Sequence, residues 1–361
     1  MRVGCLVPYP CDRVPSQRFR LEQWAPVLAA RGIHLEFIPL LRPGTMAFLH
    51  AQGNVARKGT EIIRGCAARL RWAVREARRY DVVVIHREAL LIGVDWVERY
   101  LSARVPTVFD FDDAVWLPNV SAANRRFGFL KAFSKIDRIL GLVSCVSAGC
   151  EYLAAHARLF NQNVVVVPTS IDLDTYSPPR LHEESDVLTI GWTGSATTAA
   201  YLQLVAPVLK RASAAYSTRF RVLGAQIQIP GVDVVCEPWA PEREVPFLRT
   251  FDVGLKPSPR EEWAKGKCPM KDIQYMALAI PPIATRFGTA GESIEHGVSG
   301  FLCDTDDDWL QALGSLRDVS LRRRMGQSAR RVVEERYATS VAASKFEEAL
   351  KSAVRRFAAL S

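Results

Sequence analysis

The sequence predicts an α/β chain of two successive doubly wound parallel-sheet domains. Three observations carry that reading. The runs DVVVIH (Asp81–His86) and NVVVVP (Asn163–Pro168) each hold four consecutive β-branched residues, as strands buried on both faces of a parallel sheet do. Segments of helical period lie between such runs, which is the pattern of crossover helices. At 361 residues the chain also exceeds the ~250–300 residues at which a single core stops growing.

In the first half, strands are expected at Val3–Pro8, His34–Ile38, Val82–His86, Thr107–Asp110, Leu142–Val146 and Val164–Val167, with helices at Ser16–Arg31, Val55–Arg79 and Ala148–Arg158. The opening MRVGCLVPYP has too short an apolar run for a signal peptide and reads as the first buried strand. Thr169–Ser185 is polar, contains Pro178 and Pro179 and loses periodicity, so it reads as a linker. Alternation then resumes, with strands at Leu188–Trp192, Phe220–Leu223, Val232–Cys236, Val253–Lys256 and Ile283–Thr285 and helices at Tyr201–Ala215 and Met270–Ala279. Three helices close the chain, Asp306–Leu316, Leu321–Tyr337 and Ser340–Leu360, the last docking back across the linker. The expected domains are residues 1–172 and 173–339, with 340–361 as a helix packing back on the first. Each domain offers its ligand crevice beyond the carboxyl ends of its strands.

Composition is globular, with 48% hydrophobic and 24% charged residues. The eight cysteines include no C-x-x-C pair, which argues against a disulfide framework or a zinc site and fits a reducing cytoplasm. No stretch reaches the ~18–20 uncharged apolar residues a membrane helix requires. A net charge of +9 asks for an anionic partner. Much of it gathers between Arg57 and Arg79, where only Glu61 and Glu76 oppose the basic residues. Two readings stand for this helix: a solvated basic face, or a patch for anionic lipid headgroups. Nucleic acid fits poorly, because the stretch lacks interleaved aromatics and no recognition module is visible.

The most informative segment runs from Lys265 to Asp304. It reads as a loop, a helix, a short buried strand, a glycine-bearing turn, another helical turn and a closing strand. Pro269 suits the first helical position, Lys267 precedes it, and Lys271 and Gln274 share a face. Free N–H groups at a helix start, flanked by lysines, suit a nucleoside diphosphate. Gly194 and Ser195 lie between a strand and a helix, where glycine lets the backbone approach a phosphate and serine donates a hydrogen bond. A plain connecting turn would look the same.

The segment resembles the retaining glycosyltransferases of family 4, which have the GT-B fold of two Rossmann-like domains facing across a cleft. The resemblance rests on Gln274-Tyr275-Met276-Ala277, then Pro282-Ile283-Ala284-Thr285, then Gly288, Glu292, Ile294, Gly297 and Gly300. Pro15–Ile33, Tyr80–Leu90, Val108–Trp116, Val164–Tyr176 and Ile190–Leu202 look like a bacterial subgroup of such enzymes, so the similarity spans nearly the whole chain. It implies a cytoplasmic enzyme, peripheral at the membrane, that needs no cofactor or metal. Its donor would be a nucleotide sugar and its acceptor a glycan or lipid-linked hydroxyl, with an anionic membrane surface as a further partner and no nucleic acid.

Three departures from the family pattern matter. Gln274 stands where a glutamate usually contacts the ribose, and a carboxamide can still bond hydroxyls. Gly266 stands at the glutamate that touches the donor sugar, leaving Glu261 or Glu262 to substitute. Trp192-Thr193-Gly194-Ser195 replaces the family's arginine and lysine, so the diphosphate charge falls on Lys267 and Lys271. Glu292 is expected near the donor or at a helix start. Arg18 or Arg20 is expected near phosphates or paired with a carboxylate. Asp112 or Asp113 either orients an acceptor hydroxyl, caps an element or pairs with an arginine, while a metal-binding D-x-D is disfavoured. His86 reads as a histidine satisfied at a strand end. The rival readings are an epimerase, a phosphorylase without its lysine motif, a dehydrogenase without its G-x-G-x-x-G, or a non-catalytic binding protein.

Overall fold

The computed structural model describes residues 1–45, 55–91, 93–117 and 133–360. The chain divides into two compact units, Met1–Thr169 with Thr339–Ser361, and Ser170–Ala338. Each is an α/β unit around one six-stranded, all-parallel sheet, among the described residues.

The first sheet comprises β1 (Arg2–Val7), β2 (His34–Pro39), β3 (Val82–His86), β4 (Thr107–Phe111), β5 (Cys145–Ala148) and β6 (Val164–Val166). Their spatial order is β2-β1-β3-β4-β5-β6. Strand order reverses between β1 and β3, where Val3 pairs with Val82. On one face the helix Thr339–Leu360 brings Ala342, Ala343 and Ala349 against Val84, Val108 and Cys145. These small side chains allow close approach, and Phe346 meets Trp24 at 4.9 Å between ring centroids. Val55–Arg75, Trp96–Ser102, Lys135–Leu142 and Glu151–Arg158 supply the other helices.

Two expectations in this unit need correction. The helix expected over Ser16–Arg31 is broken into Pro15–Gln17, a π-turn at Arg18–Glu22, and Trp24–Ala29. The wide turn accompanies a fully buried Arg20, whose guanidinium grips Asp110 on the interior strand β4. Leu142 belongs to the helix Lys135–Leu142 and the strand starts only at Cys145. Ile136, Ile139 and Leu140 are all buried, so helical spacing wins over the short apolar run GLV.

The second sheet comprises β7 (Leu188–Thr193), β8 (Thr218–Leu223), β9 (Val234–Glu237), β10 (Val253–Lys256), β11 (Pro282–Thr285) and β12 (Phe301–Cys303), in the order β12-β11-β10-β7-β8-β9. Two three-stranded halves run outward from the β7–β10 pair, where Ile190 faces Val253. That pair is the topological switch point, outside whose carboxyl ends ligands bind in such sheets. The helix expected over Tyr201–Ala215 is a 3₁₀ turn, Ala200–Leu204, followed by Ala206–Ala215. Pro207 lacks an N–H and fits only a helix's first turn, which forces the break.

The stretch expected as a linker is fastened to the second unit. Ile171 and Tyr176 are buried in its core. The Arg180 N–H donates to the Leu278 carbonyl at 2.8 Å and its guanidinium pairs with Asp252 at 2.7 Å. Polarity misled the sequence reading here, because these polar groups are satisfied by the unit itself.

Candidate functional site

At the switch point of the second sheet, Tyr275 ties three elements together. It lies in the helix Met270–Ala277; its hydroxyl accepts the Thr193 N–H at 3.0 Å and donates to the Leu255 carbonyl at 3.3 Å. The ring rests on β10 because residue 254 is glycine: a Cβ there would meet the ring 2.3 Å away. The helix start is thereby held over the ends of β7 and β10.

Three lysines converge at this place. Lys271 holds its ammonium 5.4 Å from the centroid of the buried Trp192 ring. Though its side chain keeps some solvent contact, dense surroundings push its pKa down to about 7, with the Lys267 and Lys256 charges adding to the effect. Lys256, at the end of β10, donates to Asp272 at 2.8 Å. Burial raises the Asp272 pKa despite that lysine, and its Oδ1 finds no protein partner among the described residues. Lys267 is exposed, its ammonium 5.4 Å from the Trp263 ring, and its carbonyl accepts from the Thr289 hydroxyl at 2.7 Å. Pro269 sits at the cap, one position earlier than expected. The cluster is a concentration of positive charge with one ammonium near its titration point, which an anion would stabilise.

The other expected donor residues are distributed around it. Gly194 follows β7 directly, and a Cβ there would lie 2.6 Å from the Trp192 ring and 2.7 Å from the Thr198 hydroxyl. The Ser195 N–H donates to that hydroxyl at 3.2 Å. Glu292 lies in the short turn Ala290–Ser293, where its carbonyl accepts from Tyr337 and the neighbouring Ser293 hydroxyl donates to Asp272. Gln274 is buried, and its amide nitrogen donates to the Tyr176 hydroxyl at 2.8 Å and to Glu244 at 3.1 Å. Glu244 also accepts from Trp239 Nε1 at 3.0 Å and from Tyr176 at 3.0 Å. Both Gln274 N–H donors are therefore engaged within the unit. Glu262 is exposed and pairs with Lys265 at 2.7 Å.

In the first unit a 190 Å³ cavity opens beyond the carboxyl ends of β1 and β3, lined by Tyr9, Arg87, Glu88, Leu91, Asp113 and Lys135, among others. Its charges are internally matched. Arg87 pairs with Asp112 at 2.7 Å, and Lys135 with Glu88 at 2.7 Å. Burial favours the neutral Asp112, yet the adjacent Arg87 prevails and holds its carboxyl below the usual range. Of the alternatives open for Asp112, the structure shows the ion pair. Arg20 forms a fully buried bidentate pair with Asp110, which also accepts from Ser147 at 2.7 Å. His86 is satisfied at the strand end, Nδ1 against Asp110 at 2.8 Å and Nε2 against Ser16 at 3.2 Å. Arg18 packs its guanidinium 4.6 Å from the Phe19 ring.

Sequence reasoning passed over Lys256, Asp272 and Tyr275 as site residues. Tyr275 stood within the quoted motif, but only the structure shows its hydroxyl bridging two strands. Lys256 carried one usable signal, a cation ending a strand otherwise apolar.

Residues 186–318 match a family model described as "Glycosyl transferases group 1". N-acetyl-alpha-D-glucosaminyl L-malate synthase of Bacillus anthracis is 37% identical over 78 residues, 21% of this chain and 20% of that protein. The matched part is thus about a fifth of that relative's length. Among solved structures, sucrose-phosphate synthase from Thermosynechococcus elongatus superposes with a TM-score of 0.71 at 14% identity, covering 100% of both chains. Anabaena HepE in complex with UDP and glucose gives a TM-score of 0.65 at 12% identity over 98% of this chain and 100% of that one. The chain has the GT-B fold of two Rossmann-like units, and most of its second unit, residues 186–318, is similar to glycosyl transferases group 1.

Proposed function

We propose that the protein is a retaining glycosyltransferase that moves a sugar from a nucleotide-diphosphate donor to a hydroxyl of a glycan or lipid-linked acceptor. The observation that carries this reading is the convergence of Lys256, Lys267 and Lys271 at the β7–β10 switch point, beside the Gly194-Ser195 turn. During transfer the bond from sugar C1 to the donor phosphate oxygen breaks and a bond from C1 to the acceptor oxygen forms. The acceptor proton passes to the departing phosphate, and the nucleoside diphosphate leaves. Negative charge grows on the diphosphate along this path, where preorganised cations lower the barrier. Lys271 and Lys267 take that role in the proposal, which needs no metal ion. Attack from the leaving-group face fits a site in which Glu262 and Glu244 already have partners of their own.

UDP and glucose bound to the HepE neighbour support a nucleotide-sugar donor for this chain. The resemblance to family 4 supports retention and the bacterial subgroup. The acceptor reading draws on the first unit's cavity and on the basic Val55–Arg75 helix, which suits a cytoplasmic enzyme working at the inner membrane face. No helix among the described residues is long and apolar enough to cross a membrane. Calorimetric titration with a panel of nucleoside diphosphates is the first test. Binding of at least one, lost in Lys271→Ala, is expected; failure of every nucleotide to bind would refute the donor assignment. Release of nucleoside diphosphate only when acceptor is present would then separate transfer from epimerisation or inert binding.

A further inference from the structure

The helix Val55–Arg75 has a second apolar face that the fold does not use. Its packed side includes buried Gly65, Cys66, Arg69 and Ala73, with Ile62 and Trp72 partly buried against the core. On the solvent side, Ile63 is 71% exposed, Leu70 37% and Val74 60%, with exposed Ala67 between them. Positions 63, 67, 70 and 74 fall on one stripe, because helical side chains three and four apart share a face. Arg64, Arg71 and Arg75 are exposed along one flank of that stripe, each a single residue beyond an apolar member. Only Arg64 of the three has an acidic partner among the described residues, Glu61 at 2.8 Å.

Solvation of charged residues accounts for a basic face, but it gives no reason for Ile63 and Val74 to stand in water beside them. A contiguous apolar stripe edged by arginine is the pattern of an interfacial helix, whose apolar side enters the acyl boundary while cations meet headgroups. The helix is also fixed in place. Buried Arg69 donates to the carbonyls of Val7 at 3.0 Å, Ile38 at 2.8 Å and Ala89 at 3.4 Å. Those are the carboxyl ends of β1 and β2 and the segment just past β3, the same edge on which the cavity containing Tyr9 and Glu88 opens. We propose that this stripe docks the first unit onto an anionic bilayer and presents that cavity's edge to the membrane. Charge complementarity selects the occupant: a second copy of the chain would bring arginine against arginine. The role assigned to the cavity rests on the acceptor reading above, whereas the docking itself does not.

Flotation of the full chain with acceptor-free vesicles tests it. Vesicles of phosphatidylglycerol and phosphatidylcholine should bind the protein, and phosphatidylcholine alone should not. Replacing Arg64, Arg71 and Arg75 by serine should weaken partitioning about fivefold per arginine. Ile63→Ser with Val74→Ser should abolish the binding that survives high salt. Both variants change exposed positions, so an unchanged circular dichroism spectrum and melting temperature should accompany them. Equal binding to neutral vesicles, undiminished binding of the arginine variant, or a dimer in sedimentation that the serine variants dissolve would each overturn the proposal. Nucleoside diphosphate binding in solution is measured separately, so loss of the donor reading and loss of the docking reading are distinguishable.

Discussion

The ammonium of Lys271 lies 5.4 Å from the centre of the Trp192 ring, so this cation is set against an aromatic face at the end of β7. A cation placed this way stays available to an anion, and its own charge is poorly supported. With a pKa pushed down to about 7 by burial and by Lys267 and Lys256, it loses its proton just above neutrality. Nucleoside diphosphate affinity should therefore fall by roughly tenfold or more between pH 7 and 9, a range above phosphate titration. In Lys271→Met that fall should vanish, and turnover should drop by about 100-fold. Stability moves the other way. The unfolded chain keeps this lysine protonated up to about 10.4, so the folding penalty is full below pH 7 and fades as pH rises toward that value. Lys271→Met should raise the melting temperature, and more at pH 6 than at pH 9. An equal gain at both would contradict the assignment.

Gln274 stands 3.1 Å from Glu244, a neighbour that favours an amide over the family's glutamate at this position. Restoring the family's residue with Gln274→Glu would set two buried carboxylates side by side, where one must hold a proton. A loss of about 1–3 kcal/mol is expected at pH 8, shrinking toward pH 5 as the pair takes up its shared proton. Adding Glu244→Gln should rescue the variant at pH 8. Denaturant titration of the four combinations checks this, and additivity of the two changes would rule the coupling out.

The fold was legible because its main signals are local: four β-branched residues in Val82–Ile85 and in Val164–Val167 mark strands, although only the first is buried throughout, the second being a half-buried edge strand. Lys267 and Lys271 were legible for the same reason, lying beside a proline at a helix start. What stayed hidden depends on distant partners. Nothing near Gln274 in sequence announces Tyr176 or Glu244, 98 and 30 residues away. Burial of Arg20 could not be read from RFRLE, because its partner Asp110 comes 90 residues later.

That Arg20–Asp110 pair is expected to be a principal structural element of the first unit. Arg20→Met leaves Asp110 buried with only His86 and Ser147 for support, and should cost about 3–5 kcal/mol at pH 7. Burial opposes ionisation of Asp110, but Arg20 holds its carboxyl far below the ordinary range. A depressed acid contributes stability above its unfolded pKa of about 3.9, and that contribution is lost as pH falls through and below it. Without Arg20 the carboxyl accepts a proton at higher pH, so the gap between variant and wild type should narrow from pH 7 to pH 4. Urea unfolding at both values measures it, and a constant gap would show that packing, not charge, is what Arg20 supplies.

Gly254→Ala tests whether donor binding depends on the seat of the Tyr275 ring. The new methyl would fall 2.3 Å from the ring, and β10 cannot retreat because Gly254 pairs with Gly191 on one side and Pro282 on the other. The ring must move instead, breaking its hydroxyl's contacts with Thr193 and Leu255. Overpacking of this kind costs about 1–3 kcal/mol. Lys271 lies four residues before Tyr275 on the same helical face, so displacing the ring also carries the ammonium away from Trp192. Gly254→Ala should therefore weaken nucleoside diphosphate binding as well as lower the melting temperature. Tyr275→Phe, which removes the hydroxyl but leaves the ring seated, should lower stability while largely sparing affinity. Should Gly254→Ala lose stability with its nucleotide affinity intact, the helix start is not held by this contact and the lysine cluster must be positioned from β11 and the Ala290–Ser293 turn.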